Sequence, residues 1–574
     1  MIQSEKMQTY TKLFYVNTLC FSTSPGFVAA DKYRDIDWKT CINTLQKKQA
    51  EIIRAYRKKD YSRVFELQQN LVRSFAARAL AVRKVSSNKE KNTPGIDKII
   101  WKTNEQKSQA IFLLRDLSKY KAKPARRVYV SKTRGSTRLL KIPTMFDRAV
   151  LTLWYFALIP IAEETADPQS YGSRPYRGVH DCVTYLKLVC SSNTTTRRFV
   201  LNLDIKSFFN LISDNWLLKN IPMDKRILKE FLKAKFLSNN AFEETFKDFP
   251  QSAAILSLTI ANMMLDGLKN AIDKEFLMTR YVNTFVVFGK TQKDLKLKAL
   301  PLIQDFFGER GLALKAVKIK VSTIEKGFEF LGFLFKKFLN KNRVKSTKQN
   351  FFLIQPSPLK IKNFRTKLSS IVKEHKNKCI AMLIIKLNKK LMQWAEYYRV
   401  STVTKFNLIN RHLFVIIWKM LKDRYRKVSQ KEIVKRHFTK VGNFKWVFYG
   451  LPLSVSDSKQ VIDKVTLFQI NSVKTKKHSL CAPLNCFDPT NYKYFEKRLI
   501  RTLLPNIYTK RIQRKLFVSQ KGLCPGCNSS LLDYGHTIEI YNIIPKLKGG
   551  SDKFKNLRLM HKECYYQKTH TKNL

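Results

Sequence analysis

Residues 198–212 read RFVLNLDIKSFFNLI, and this stretch decides the fold. Side chains alternate across a strand, so Phe199, Leu201, Leu203 and Ile205 fall on one face and Val200, Asn202 and Asp204 on the other. A strand that ends on a single carboxylate is the expectation. Such an Asp more often caps the next element than serves chemistry, so its meaning depends on what surrounds it. Upstream, residues 126–142 (RRVYVSKTRGSTRLLKI) predict two short strands around a glycine-centred turn that carries Lys132, Arg134 and Arg138. Before them, Trp38 to Val85 is helical in pattern, with Val64, Leu67, Leu71 and Phe75 at spacings of three and four. A turn at Asn92-Thr93-Pro94-Gly95 follows that helical stretch. Downstream of the central strand, helices and strands mix to about residue 335, and the Lys/Asn-rich stretch 336–350 reads as a linker or exposed hairpin. Residues 358–440 return to helical periodicity, with Leu383, Leu387, Leu391 and Tyr398 along one stripe, and a compact segment begins near 515. The apolar stripes read as core, and no internal repeat is present.

At 574 residues the chain should hold several packed cores. Its 108 Lys and Arg against 43 Asp and Glu leave a net charge of +65. Self-repulsion on that scale calls for a polyanionic partner, and nucleic acid is the obvious one. With 44% hydrophobic and 12% aromatic residues the chain is no disordered basic tail. A small-metabolite enzyme working alone is a poor fit. The ten cysteines read mostly as buried small hydrophobes in a reducing compartment, apart from a cluster after residue 520. The longest apolar run, Ala149 to Ala162, contains Thr152 and ends against Glu163 and Glu164, so no membrane span is expected. Residues 1–37 form an N-terminal extension, read as a targeting or disordered segment, although Arg is absent from its first thirty positions.

The order of segments resembles a group II intron-encoded protein of the reverse transcriptase and maturase family, from about residue 40 onward. LQKKQAEIIRAYRKKD (45–60), ELQQNLVRSFAARALAVRKV (66–85) and NTPGID (92–97) look like its N-terminal RNA-binding helices and the loop after them. VYVSKTRGSTRLLKIPTMFDRAV (128–150) is similar to the fingers segment, and YGSRPYRGVHDCV (171–183) to the block after it. LNLDIKSFFNLIS (201–213) matches the first catalytic motif, FPQSAAILSLTIANMMLDGL (249–268) the Pro-Gln-Gly motif, and GFEFLGFLF (327–335) the strand from palm to thumb. LNKKLMQWAEYYR (387–399) looks like the signature of maturase domain X. The resemblance implies an α+β chain: right-hand polymerase-like fingers and palm, an α-helical thumb with domain X, and a small C-terminal zinc-bound HNH-like ββα module. The expected divisions are N-terminal RNA-binding helices and the start of the fingers over 38–125, fingers and palm over 126–345, thumb and domain X over 346–475, a linker or DNA-binding-like region over 476–514, and the HNH module over 515–574.

The departures from that family decide the expected function. Polymerase chemistry needs two divalent ions held by carboxylates. In this family one Asp comes from the first motif and two from a Tyr-Ala-Asp-Asp hairpin turn. Asp204 is present here, but the turn reads Tyr281-Val282-Asn283-Thr284. Asn283 and Thr284 offer only neutral oxygens, whereas a hard Mg²⁺ ion prefers anionic ones. The family's Pro-Gln-Gly-Gly is Pro250-Gln251-Ser252-Ala253, and the added Cβ atoms crowd the approach of a nucleotide. Lys132 and Arg138 match residues that would clamp a triphosphate, and without metals they are expected to contact RNA phosphates. The expectation is a polymerase fold without polymerase chemistry, Asp204 being vestigial.

In the C-terminal segment Cys524-Pro525-Gly526-Cys527 and His561-Lys562-Glu563-Cys564 are two bite-sized pairs of soft ligands, 34 residues apart. Cys524, Cys527, His561 and Cys564 make a Cys₃His set suited to a structural zinc ion. The surrounding IEIYNIIPKLKGGSDKFKNLRLMHKECYYQ (538–567) resembles an HNH endonuclease. That family has a His-His pair where Tyr541-Asn542 stands and a further His where Tyr565 stands, while Asn556 matches the Asn that orients the loop. Neither tyrosine nor asparagine replaces imidazole as a base near neutral pH, so nuclease activity is expected to be absent too.

Binding is what remains. In the domain X match, Lys389, Lys390, Arg399, Arg411 and Lys419 interleave with Trp394, Tyr397, Tyr398 and Trp418. Lysine and arginine contact phosphates and aromatic rings stack on unpaired bases; the competing reading places Trp394, Tyr398 and Trp418 in the helical core. Arg54, Arg57, Arg73 and Arg83 are expected as a second basic surface. The function these residues imply is a group II intron maturase that binds intron RNA and assists its folding and splicing. Its cofactors would be structural Zn²⁺, with Mg²⁺ entering only through the bound RNA, and DNA would be at most a weak partner. The alternative is an active intron-encoded reverse transcriptase and homing endonuclease. An organelle is the expected location, a plastid favoured over a mitochondrion, since the Lys/Asn/Phe-rich composition suggests an A+T-rich genome.

Overall fold

The computed structural model describes residues 33–565 apart from 89, 132–136, 192–195, 206–212, 234–235, 239–240, 244–254, 313–316, 339–350, 452–463, 504–510, 527–530, 532–537, 545–548, 552 and 562–563. Most of the N-terminal extension thus lies outside the described residues. Helices α1 (Trp38–Arg57), α2 (Tyr61–Arg73) and α3 (Phe75–Ser87) stand where the periodicity puts them. Each begins on a side-chain cap, Asp37, Asp60 and Ser74 accepting hydrogen bonds from backbone N–H groups of the first turn. The hairpin of β1 (Ala125–Ser131) and β2 (Thr137–Ile142) pairs antiparallel from Arg126↔Ile142 to Ser131↔Thr137.

All three helices pack on α4 (Met145–Thr165), which is long and apolar enough to cross a membrane by length and composition. Yet 89% of its most apolar window is buried inside the protein, which makes it a core helix. Pro160 interrupts its hydrogen-bond ladder by removing the N–H that would reach the Phe156 carbonyl. That carbonyl is satisfied from α1, where Gln49 Nε2 donates to it at 2.9 Å. A polar residue on the buried side of α1 is thereby accounted for.

The central sheet has the order β6-β7-β3-β8, with β3 (Phe199–Ile205), β6 (Leu277–Tyr281), β7 (Thr284–Gly289) and β8 (Val317–Thr323), every neighbour antiparallel. Two short strands, β4 (Phe236–Ser238) and β5 (Ala241–Glu243), extend the β1–β2 sheet instead. On β3, Leu201, Leu203 and Ile205 face the first core, shared with α4. Val200 is buried as well, in a second core on the opposite face. The strand is therefore sandwiched at its start and opens only toward Asp204. The second core takes in α5 (Val179–Ser191), the sheet β9 (Phe328–Phe330), β10 (Phe333–Phe338) and β11 (Phe351–Pro356), and the helices α6 (Pro358–Glu374), α7 (Ile380–Tyr398) and α8 (Phe406–Arg424). Leu383, Leu387, Leu391 and Tyr398 are all buried in it, as their stripe predicts. The stretch 336–350 leads from β10 to β11, which pair antiparallel from Phe333↔Pro356 to Phe338↔Phe351. The division expected at 345/346 would cut through this hairpin.

A larger difference concerns 476–514, expected as a linker or DNA-binding-like region. Through 476–503, which ends in α9 (Tyr492–Leu503), it is a docked strap. Arg177 donates to the carbonyls of Ala482 and Leu484, Asn485 Nδ2 donates to Pro160 O at 3.0 Å, and the Cys481 N–H donates to Asp181. His478 and Arg498 both pair with the buried Asp181. Burial would raise the Asp181 carboxyl, but hydrogen bonding from His478 and the Arg498 charge outweigh that and hold it below the usual range. Cys486 and Phe495 anchor the strap's apolar side.

Beyond it, α10 (Arg511–Ser519) packs on the antiparallel pair β12 (Ile538–Asn542) and β13 (Leu557–His561), with a helical turn starting at Cys564-Tyr565. Leu516, Phe517, Leu557, Leu559 and Met560 form this unit's small core. Elsewhere Cys41, Cys182 and Cys190 are buried, burial pushing the thiols of Cys41 and Cys182 up to about 11 and about 12.

Candidate functional sites

At the tip of the central sheet β6 and β7 join through Val282-Asn283. Val282 has φ +55, the left-handed conformation that two-residue hairpin turns favour. The turn can sit this close to the neighbouring chain because residue 172 is glycine: a Cβ there would lie 2.6 Å from the Val282 nitrogen. Register places Thr284 on one side of Asp204 and Lys318 on the other. The Thr284 hydroxyl donates to Asp204 Oδ1 at 3.4 Å. Asn283 is engaged with the end of β3: its Nδ2 donates to Ile205 O at 2.7 Å, and the Ile205 N–H donates back to Asn283 O at 3.1 Å. Among the described residues the tip thus presents one half-buried carboxylate, one hydroxyl and, on the neighbouring strand, the exposed Lys318. A divalent cation is held chiefly by anionic oxygens, and among the described residues the tip offers one carboxylate, with Lys318 as its register partner on β8.

Beneath the turn lies a buried ion network. Arg280 is fully buried, pairs with Asp266 and donates to Asn262 Oδ1 at 2.9 Å, while Asn262 Nδ2 donates to Gly172 O at 2.9 Å. Burial pushes Asp266 up to about 7, with the Arg280 charge opposing and Asp167 adding to the rise. Sequence reasoning missed these residues. Asn262 and Asp266 stand one turn apart on the largely apolar helix Ile255–Leu265 and its C-terminal edge, a spacing that could have signalled a shared buried partner.

In the C-terminal unit the ligand atoms of Cys524, His561 and Cys564 lie within 4.8 Å of one another, and all three residues are buried. Cys564 Sγ is 3.7 Å from His561 Nδ1, close to the separation of two ligands of one tetrahedral zinc ion, roughly 3.5 Å by the usual bond lengths. A Cβ on Gly526 would lie 2.9 Å from the Cys564 Cβ, so the glycine between the paired cysteines is needed for the close approach. Cys527 lies outside the described residues. Asn556 holds the loop as its motif implies: Oδ1 accepts the Ile544 N–H at 2.8 Å, and Nδ2 donates to Ser551 O at 2.7 Å. Two of the three positions where the resembled nuclease carries imidazoles come together, Tyr541 stacking on Tyr565 at 3.6 Å and 13°. Tyr541 also donates to Glu539 at 2.9 Å, and Asn542 Nδ2 donates to Ser551 O at 3.2 Å.

The expected RNA-binding residues divide. Arg54, Arg73, Lys389, Arg411 and Lys419 are exposed, and Lys390 is half-buried. Arg83 is not on a surface: it is buried with its guanidinium 4.2 Å from the Trp38 ring centroid. Arg57 is exposed but held by Glu164 at 2.8 Å and Asp488 at 2.6 Å, and Arg399 is half-buried against Glu396 at 3.1 Å. Trp394 and Tyr397 are half-buried and pack against the second core. Trp394 stacks flat on Phe364 at 4.1 Å, and Tyr397 stacks on Phe333 and donates to Leu331 O at 2.8 Å. Helical spacing alone did not separate a ring turned inward from one turned out. Lys132, Pro250 to Ala253 and the side chain of Arg138 lie outside the described residues.

Three family matches follow one another along the chain. Residues 33–114 match the N-terminal domain of reverse transcriptase, 129–335 the reverse transcriptase (RNA-dependent DNA polymerase), and 361–438 the maturase-specific domain of group II introns. The chain is 34% identical over 228 residues to Protein YkfC of Escherichia coli K12, an alignment spanning 38% of this chain and 57% of that one. It is 22% identical over 389 residues to Maturase-like protein 1 of Euglena gracilis, covering 67% and 81% of the two. To the group II intron-encoded protein LtrA of Lactococcus lactis subsp. cremoris it is 32% identical over 198 residues, 33% of this chain and 32% of the other.

Proposed function

The chain belongs to the group II intron-encoded reverse transcriptase and maturase family, and from that premise we propose that it is a maturase that acts by binding intron RNA, without polymerase or nuclease chemistry of its own. The tip of the central sheet carries this reading: Asp204 is flanked by Thr284 and Lys318 while Asn283 is spent on the backbone of β3. Two missing charges beside a pair of dications remove much of the transition-state stabilisation a polymerase needs. The net charge of +65 supports a polyanionic partner. The RNA would supply the metals and the transesterification. The protein would bind the spliceable fold better than misfolded forms and so shift the population toward it.

In the C-terminal unit Cys524, Cys527, His561 and Cys564 would hold a structural zinc ion, which cross-links a unit too small to be held by its core alone. With Tyr541, Asn542 and Tyr565 at the imidazole positions, this unit would lend at most weak DNA binding. The Lys/Asn/Phe-rich composition supports an organelle, a plastid before a mitochondrion.

Purified full-length protein should promote splicing of the intron RNA that co-purifies with it at Mg²⁺ concentrations where the RNA alone is inert. It should extend no primer on an RNA template. DNA synthesis by the unmodified chain, or failure to bind any group II intron RNA at moderate salt, would overturn the proposal. Synthesis appearing only in the Asn283→Asp, Thr284→Asp double variant would locate the deficit at the tip.

A further inference from the structure

Four aromatic rings gather at one corner of the helical unit that carries the maturase-specific match. Phe414, on α8, is 43% exposed, and Trp446, on the strand Phe444–Gly450, is 54% exposed. Their centroids are 6.4 Å apart and their planes cross at 72°. Trp418, one helical turn beyond Phe414, lies parallel to it at 6.3 Å and 5°. The buried Phe438 closes the floor, 6.2 Å from Phe414, 6.1 Å from Trp418 and 5.8 Å from Trp446. The outer rings are therefore fixed from below while their upper faces meet solvent. Val415 and Val441 are also exposed, so the apolar area exceeds what a lone surface ring would make.

The charge around this corner says what would cover it. Between 405 and 450 the sequence has twelve Lys and Arg and only two acidic residues, Asp423 and Glu432. Both acids are engaged, Asp423 by Lys376 at 3.1 Å and Glu432 by Arg436 at 2.8 Å. Lys419, Lys422, Lys440 and Lys445 are exposed on the elements that carry the rings, and the Lys422 ammonium lies 5.8 Å from the Trp418 ring centroid. A rim of one sign around rigid rings fits a partner that offers flat apolar faces on a negative backbone. Unpaired bases do so; duplex bases are already stacked and offer no free face.

We propose that Phe414 and Trp446 form a stacking platform for unpaired bases of an RNA, with Lys419, Lys422, Lys440 and Lys445 on its flanking phosphates. This rests on the RNA-binding reading above and sharpens it, naming a single-stranded loop or bulge as the element recognised and replacing Trp394 and Tyr397 as the rings that meet it.

The test compares the full chain with Phe414→Ala, Trp446→Ala, their double variant, Trp446→Phe and Lys440→Ala/Lys445→Ala. The probes are a short single-stranded RNA containing 2-aminopurine and a blunt RNA duplex of the same sequence. Each alanine variant should weaken single-strand binding about 5- to 150-fold, abolish the fluorescence quenching and change duplex binding less than about 2-fold. Trp446→Phe should keep most of the affinity, which separates stacking from a folding defect. The lysine pair should flatten the salt dependence on the single strand by about 1.4 in log–log slope, while the aromatic variants leave it unchanged. If the parent binds both RNAs and the double aromatic variant matches it, the platform falls, the RNA reading stands and the corner passes to a protein partner. If the parent binds neither probe, the platform falls; the RNA reading falls with it only if the parent also fails to bind the co-purifying intron RNA at moderate salt.

Discussion

The tip of the central sheet lacks carboxylates and the small β12–β13 unit lacks imidazoles where the resembled enzymes carry them, and the two accommodate the lack differently. At the tip the replacement folds back on the backbone, Asn283 bridging to Ile205 while Thr284 bonds to Asp204. In the C-terminal unit two replacements pair with each other, Tyr541 on Tyr565. The contrast follows from what lies underneath. The tip rests on two large cores and a buried ion network, so its outermost side chains are free to change. Among its described residues the small unit has only a handful in its core, and domains of that size commonly need a metal or other cross-link. A zinc ion on Cys524, His561 and Cys564, as proposed above, would supply that cross-link, and Asn556 holds the adjoining loop through Ile544 and Ser551.

The largest effect should come from breaking the cross-link proposed for the small unit. Cys524→Ser, or removal of zinc by a chelator, should abolish hydrogen-exchange protection over 515–561 and leave β3 and β7 protected as before. Structural zinc contributes on the order of 10 kcal/mol in small metal-dependent folds, more than this unit's core can replace. Persisting protection in a chain shown to hold no zinc would erase the contrast, because both regions would then be held by packing alone.

Under the tip, Arg280→Met should cost about 3–5 kcal/mol, since it strands a buried carboxylate pair without its cation. The sign of the pH dependence follows from Asp266, already pushed up to about 7 by burial. Removing the opposing cation raises it further, so the folded variant binds a proton that the unfolded chain releases near 4. Stability then falls as pH rises, and the penalty should be larger at pH 8 than at pH 6 in denaturant unfolding followed at the central sheet. A penalty below about 1 kcal/mol at pH 8 would mean that the network does not support the tip.

Much of this was legible in the sequence where period or spacing carries the information. The capped helices α1 to α3, the β1–β2 hairpin, the central strand and the Leu383–Tyr398 stripe all read from alternation or helical spacing. The Cys-x-x-Cys and His-x-x-Cys pairs announced the ligand cluster, three members of which converge. What escaped has no period. The strap over 476–503 is held by long-range polar bonds such as Asn485 to Pro160 and Arg177 to Ala482, and its sequence looks like a linker. Arg83 reads as a surface cation by residue type, yet it is covered against Trp38. Rings are ambiguous in the same way, for Trp394 and Phe414 sit on helices of similar periodicity and only tertiary contacts turn the first inward and leave the second in solvent.

The smallest effect tests whether the tyrosine pair is a unit or two independent replacements. A double-mutant cycle with Tyr541→Leu and Tyr565→Leu, read from unfolding of the C-terminal unit in zinc-loaded protein, should give a coupling of about 0.5–1.5 kcal/mol, the range for stacked aromatic pairs. Rings 3.6 Å apart and nearly parallel have little room to relax independently, so each single change should expose the partner's face. Replacing both by histidine sharpens the comparison with the tip. Neutral imidazoles at pH 8 can still stack, but below about 6.5 both gain a proton and repel at that distance, so their coupling should shrink or change sign on acidification while the tyrosine pair's stays constant. A coupling near zero for the tyrosines at every pH would mean that the exchanged positions merely meet, and that the small unit, like the tip, satisfies each lost group on its own.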